Sequence, residues 1–139
     1  ARDKSLGVGP SIRFGAGNYE LGDRVALLGK LPHDETLKYI KAGDIFILNT
    51  SYEGFSHQLV EVMGLGIPIV TTRAGGNTVI VKDRENGLLV DYNDKNAMKE
   101  AIVTLLADPA LYSKLSENGV KTAKLFTKKR MVDELIKVF

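Results

Sequence analysis

Cysteine is missing from all 139 residues, which removes disulfides, thiol catalysis and cysteine-based metal sites together. That absence leaves the redox compartment open. Long apolar runs are missing as well. No stretch is long enough to span a bilayer, and no basic segment followed by an apolar core marks a secretory leader. The expectation is a chain with no transmembrane segment, cytoplasmic, and at most peripheral to a membrane in a full-length form. There is no excess of one charge sign either: 19 Lys and Arg face 17 Asp and Glu, which gives no electrostatic case for a nucleic-acid partner. The one basic cluster, Lys128-Lys129-Arg130, falls in a helical pattern and reads as a solvated face.

What is present is one domain's worth of chain with an alternating pattern. Arg24 to Gly29 (RVALLG) is a short apolar run read as a strand, followed by Pro32-His33-Asp34, with Asp34 a candidate N-cap and His33 a loop residue. A helix over Glu35–Ala42 points Leu37 and Ile40 inward and stops at Gly43. Ile45-Phe46-Ile47-Leu48 lacks polar alternation, as suits a parallel strand covered on both faces. A loop and a helix over about Ser56–Leu65 lead to the strand Ile67–Val70, with Pro68 tolerable near its start. After a turn at Gly75-Gly76 and a short segment through Val81, Asn86-Gly87 turns into the strand Leu88–Val90. Asp94 is placed to cap a helix reaching Ala107, and Pro109 to open another that runs towards Phe126, with Gly119 as an interruption. A third helix is expected over Lys128–Phe139. Four strands alternating with helices predict an α/β fold: a single, small, Rossmann-like doubly wound parallel sheet with C-terminal helices. Residues 1–22 read as a loop-rich N-terminal segment, and 23–139 as the domain.

The chemistry concentrates in Ser51-Tyr52-Glu53-Gly54-Phe55-Ser56-His57-Gln58-Leu59-Val60-Glu61, where seven residues separate two glutamates. At about 100° per residue, Leu59, Val60, Val62 and Met63 cluster towards the sheet, while Glu61 projects away, one turn after His57. Glu53 falls in the loop before the helix. In an open parallel sheet, ligands collect beyond the C-terminal strand ends. Gly54, Phe55, Ser56 and His57 would present backbone N–H groups at a helix start, a ready anion site. A carboxylate at Glu61 matches the paired hydroxyls of a ribose, and Glu53 could hold a hexose. Gly64 costs the helix roughly 1 kcal/mol relative to alanine, and room for a ligand would be a reason to accept that. Taken singly, either acid is also what an ordinary solvated glutamate looks like. Together they read as a nucleotide-sugar site.

These residues resemble a known family. Glu53-Gly54-Phe55-Ser56, Glu61-Val62-Met63 and Gly66-Ile67-Pro68-Ile69-Val70 are similar to the E-x7-E signature of retaining GT-B glycosyltransferases of the family-four type. The likeness extends over roughly 22–139, through Asp23–Gly29, Ala42–Leu48, Thr71–Gly76, Asn86–Asp91 and Leu105–Pro109. It implies half of a GT-B fold, the C-terminal donor-binding domain. Glu53 would be the catalytic-site carboxylate touching the donor sugar. Backbone amides of Gly54, Phe55, Ser56 and His57 would hold sugar and diphosphate, Glu61 the ribose, and Leu31 the base through its backbone. The donor would be a UDP- or GDP-linked sugar, transferred with retention, with no metal in the site and no further cofactor. The partner implied is an N-terminal GT-B domain that is missing from so short a chain. The isolated chain is therefore expected to be inactive, and the face left uncovered would favour self-association. Departures are visible. Val79 stands where the family usually has glutamate, and Ser56-His57 where it commonly has Gly-Leu. Arg13, a candidate for the family's phosphate-binding cation, has surroundings that do not fit. A nucleotide-sugar epimerase half-domain, or a non-enzymatic α/β module with a decayed site, are the alternatives.

Overall fold

A computed structural model of the chain describes residues 22–138. The expectations for residues 1–21, including the loop-rich segment and Arg13, lie outside the described residues. The chain divides between Thr36 and Leu37 into two compact units. In the described part of the first, a 3-10 turn over Gly22–Arg24 is followed by irregular backbone up to Pro32. The strand expected over 24–29 is absent there, and no ladder forms on this run among the described residues. A short apolar run fits a strand only when a neighbour pairs with it, and Gly29 turns the backbone to φ +67° at its end. Helix α1 (His33–Ala42) starts two residues earlier than expected. His33 is thus its first residue, and Asp34 belongs to its first turn, where its charge suits the helix dipole. Thr36 closes that turn, its N–H and Oγ1 both donating to the Pro32 carbonyl at 3.0 and 3.2 Å.

The second unit holds a three-stranded parallel sheet in the order β1 (Phe46–Leu48), β2 (Ile69–Thr72), β3 (Leu88–Val90). Ile47 pairs with Val70 and Thr71 with Leu89, so alternate residues of each strand share a face. Ile69, with Phe46, Leu48 and Leu89, faces one apolar cluster; Val70, Leu88 and Val90 face another. Central β2 is buried throughout, and its residues have no polar alternation because helices cover both sides. The first cluster is filled by Leu59, Val62 and Met63 of α2 (His57–Gly64), by Ile80 of the single turn α3 (Asn77–Ile80), and by Ala123. The second is filled by Leu105 of α4 (Lys95–Ala107) and by Leu111 and Leu115 of α5 (Pro109–Val138). Each such aliphatic side chain contributes roughly 1.5–3 kcal/mol by leaving water. The α/β doubly wound class is therefore the observed one, with three strands among the described residues instead of four.

Asp94 caps α4 as expected, its Oδ1 accepting from the Ala97 N–H at 3.0 Å. Pro109 opens α5. The break expected between Phe126 and Lys128 does not occur: α5 is one helix of 30 residues, about 45 Å long. Nothing in Leu125-Phe126-Thr127-Lys128 is a proline or a turn glycine that would end it. Gly119 does not interrupt it either. It lies buried against Met63 of α2, and a Cβ there would already touch the Met63 Cβ at 3.5 Å. The expected cost of a helical glycine is offset by the close approach of two helices.

Candidate functional site

Beyond Leu48 the chain crosses an exposed loop, and α2 begins only at His57. The expected first helical residue, Ser56, is its N-cap: extended backbone (φ −93°, ψ 99°), with Oγ accepting from the Leu59 N–H at 3.3 Å. Its hydroxyl is buried in that role, so Ser56 has its backbone to offer a ligand. The amides of His57 and Gln58, in the first turn, have no intrahelical carbonyl to meet, and the helix dipole is positive there. Out of α2 the chain turns through Gly66 (φ +79°), with Gly66 N–H on Met63 O at 2.9 Å and Ile67 N–H on Val62 O at 3.4 Å. That Schellman geometry needs a left-handed residue, and glycine takes it without strain.

Glu53 is half-buried in the loop, and Glu61 is half-buried on α2, one turn after His57. Gly54 faces open space, with nothing within 4 Å of where its Cβ would be. Phe55 stacks edge-on against His57 (ring centroids 5.1 Å apart) and against Phe126 of α5 (5.4 Å). The structure thus brings Glu53, Gly54, Phe55, Ser56, His57 and Glu61 to one strand-to-helix junction. Leu31 belongs to the first unit, just ahead of α1, and is half-buried there.

One part of this site escaped the sequence reading and another was read only as a turn. One is Phe126, more than 60 residues downstream, which braces Phe55. The other is the turn Arg73–Asn77, whose glycines press against the Glu53 loop. Gly76 N–H donates to the Glu53 carbonyl at 2.8 Å. A Cβ on Gly75 would overlap that same carbonyl oxygen, and one on Gly76 the Gly54 carbonyl oxygen. Gly75 also holds φ +47°. The turn is formed with Val79 in place of the family's glutamate, and Val79 is 56% exposed. Gly64, by contrast, has a helix on one side. A Cβ there would sit in ordinary contact with Ala123 Cβ on α5, at 3.6 Å, while the position itself is exposed.

A groove of about 330 Å³ runs between Asn49, Asn93 and the first turns of α4, where Met98 and Ile102 line it; neither glutamate does. Among the described residues no three of His, Asp and Glu gather closely enough to hold a metal ion. No helix of the described residues is long and apolar enough to cross a membrane.

The model of the family described as glycosyl transferases group 1 matches residues 11–122. The chain belongs to this family. An uncharacterized glycosyltransferase of Methanocaldococcus jannaschii is 34% identical to the domain over 115 residues, 83% of this chain and 33% of that protein. A solved sucrose-phosphate synthase from Thermosynechococcus elongatus superposes with a TM-score of 0.74 at 29% identity, over 91% of this chain and 34% of that one. HepE of Anabaena, solved with UDP and glucose, shares the fold at TM-score 0.76 and 21% identity, over 93% of this chain and 35% of that one. This glycosyltransferase group 1 domain thus spans about a third of the first curated relative it matches. Family membership favours the transferase reading over the epimerase half-domain.

Proposed function

We propose that the domain binds the nucleotide-sugar donor of a retaining glycosyltransferase, and that a second domain completes the acceptor side of the cleft. The observation that carries the reading is the junction at the end of β1. It joins a loop carboxylate (Glu53), a helix start (His57, Gln58) and a helix carboxylate (Glu61), with the Gly75–Gly76 turn pressed on the loop from below. In order, these offer a hydroxyl acceptor for a hexose, backbone N–H groups for a diphosphate and a second acceptor for a ribose. Glu53 would touch the sugar, Gly54, Phe55, Ser56 and His57 the sugar and diphosphate, Glu61 the ribose, and Leu31 the base. The donor is UDP- or GDP-linked, held without metal or cofactor. That HepE has been solved with UDP and with UDP-glucose supports the choice of ligand class. Exposed apolar residues such as Tyr52, Val103 and Leu106 support self-association of the isolated chain.

Calorimetric titration with UDP, GDP and ADP tests the reading. UDP or GDP should bind weakly, and Glu61→Ala should lower the affinity about tenfold, the loss of a charge-assisted pair of hydrogen bonds. Binding that ignores the substitution would remove the ribose assignment.

A further inference from the structure

We propose that Asn77 is a positioning residue for Glu53: its side-chain amide anchors the Gly75–Gly76 turn on which the Glu53 carbonyl rests. The inference deepens the donor-site reading and rests on it. Asn77 is fully buried, 0% exposed, at the start of the single-turn helix α3. Its Nδ2 has two hydrogens and a ring of acceptors: Thr72 O at 3.0 Å, Thr71 Oγ1 at 3.2 Å, and the Thr72 and Thr50 hydroxyls at 3.5 Å.

The hydroxyl protons around it have assigned directions. Thr71 Oγ1 donates to Leu48 O at 2.8 Å and Thr72 Oγ1 to Thr50 O at 2.7 Å, so both hydroxyls have only lone pairs left for the amide. Thr72 having used its proton, Thr50 Oγ1 is the donor in the 3.3 Å contact between the two. Asn77 therefore ties the ends of β1 and β2 together through a network that accepts only an N–H donor at its centre. A carboxylate in its place would face the Thr72 carbonyl and the threonine lone pairs with no proton to give.

From this anchor the link to Glu53 is two bonds long. Asn77 N–H closes the turn on Ala74 O at 3.0 Å, and Gly76 N–H holds Glu53 O at 2.8 Å. The two glycines allow the backbones to touch, so a shift of the turn moves Glu53 directly. Asn77 Oδ1 is buried with no hydrogen-bond partner among the described residues, so the anchoring falls to Nδ2.

The test uses the full chain and three variants: Asn77→Ser, Glu53→Ala, and Leu115→Ala as a destabilised control from the second apolar cluster. Affinities for UDP and for UDP-glucose are measured by calorimetry, and amide exchange at Gly76 by NMR without ligand. Asn77→Ser should lower the preference for UDP-glucose over UDP fivefold or more, as Glu53→Ala does, while UDP affinity changes less than twofold. A further variant combining Asn77→Ser with Glu53→Ala should lose no more of that preference than either substitution alone. Exchange at Gly76 should quicken at least tenfold beyond what Leu115→Ala causes. Unchanged Gly76 exchange, or an unchanged UDP-glucose preference in Asn77→Ser, overturns the proposal. Failure of the parent chain to bind either ligand overturns the donor reading instead, and the Gly76 exchange still decides whether Asn77 anchors the turn.

Discussion

At the scale of the residue, Ser56 shows how much one side chain settles. Its hydroxyl satisfies an amide of α2 that would otherwise lack a partner, and so sets where the helix starts relative to Glu53. Ser56→Ala should cost about 1 kcal/mol of stability, while Ser56→Thr should recover most of it. Chemical denaturation measures both, and a neutral Ser56→Ala would mean that the cap does not hold α2. The loop and helix placement of the two glutamates was legible at this scale, because a helix read as starting at about Ser56 begins between them. Asn77 and Phe126 were not. Their roles arise from contacts with Thr50, Thr71 and Phe55, residues at separations that no local periodicity reports. Asn77 next to two glycines reads locally as turn chemistry, which is also true of it.

At the scale of the element, helix signals with a defined chemical cause were the readable ones. Asp94 before α4 and Pro109 at the head of α5 each supply what a helix start lacks. The apolar run at 24–29 depended on a pairing neighbour instead, and the break expected near Phe126 had no proline or turn glycine to make it; both went the other way. Helix α5 is held at its beginning by Tyr112, whose hydroxyl donates to the Asp44 carbonyl at 2.7 Å. Burial, and then the nearby Asp44 charge, raise the Tyr112 pKa above its ordinary value of 10.0. The folded state therefore prefers the neutral phenol. That contribution is fully present below pH about 10 and is lost as pH rises through the folded-state value. Thermal unfolding followed between pH 8 and pH 11 should show a decline that Tyr112→Phe makes shallower. An identical decline in the variant would place the alkaline sensitivity elsewhere.

At the scale of the whole molecule, β1 leaves a feature that bears on activity. Ile47 is 43% exposed on the face that Val70 and Leu88 share, although its neighbours on β2 are fully covered. The sheet is thus sealed around α2, α4 and α5 and less so at β1, the strand whose end carries Glu53. Donor contacts gathered on one loop and one helix can bind a nucleotide, but binding alone does not accelerate transfer. Rate comes from holding donor and acceptor in a reactive geometry, an advantage worth roughly 7–11 kcal/mol when both are fixed. The purified chain should accordingly bind its donor without transferring the sugar, giving no product above the uncatalysed background in a radiolabel assay. Adding a separately expressed N-terminal domain from a family-four relative should restore measurable transfer, and Glu53→Ala should abolish it in that mixture. Turnover by the chain alone would mean that the acceptor is held by residues of this domain, and the second-domain proposal would fall.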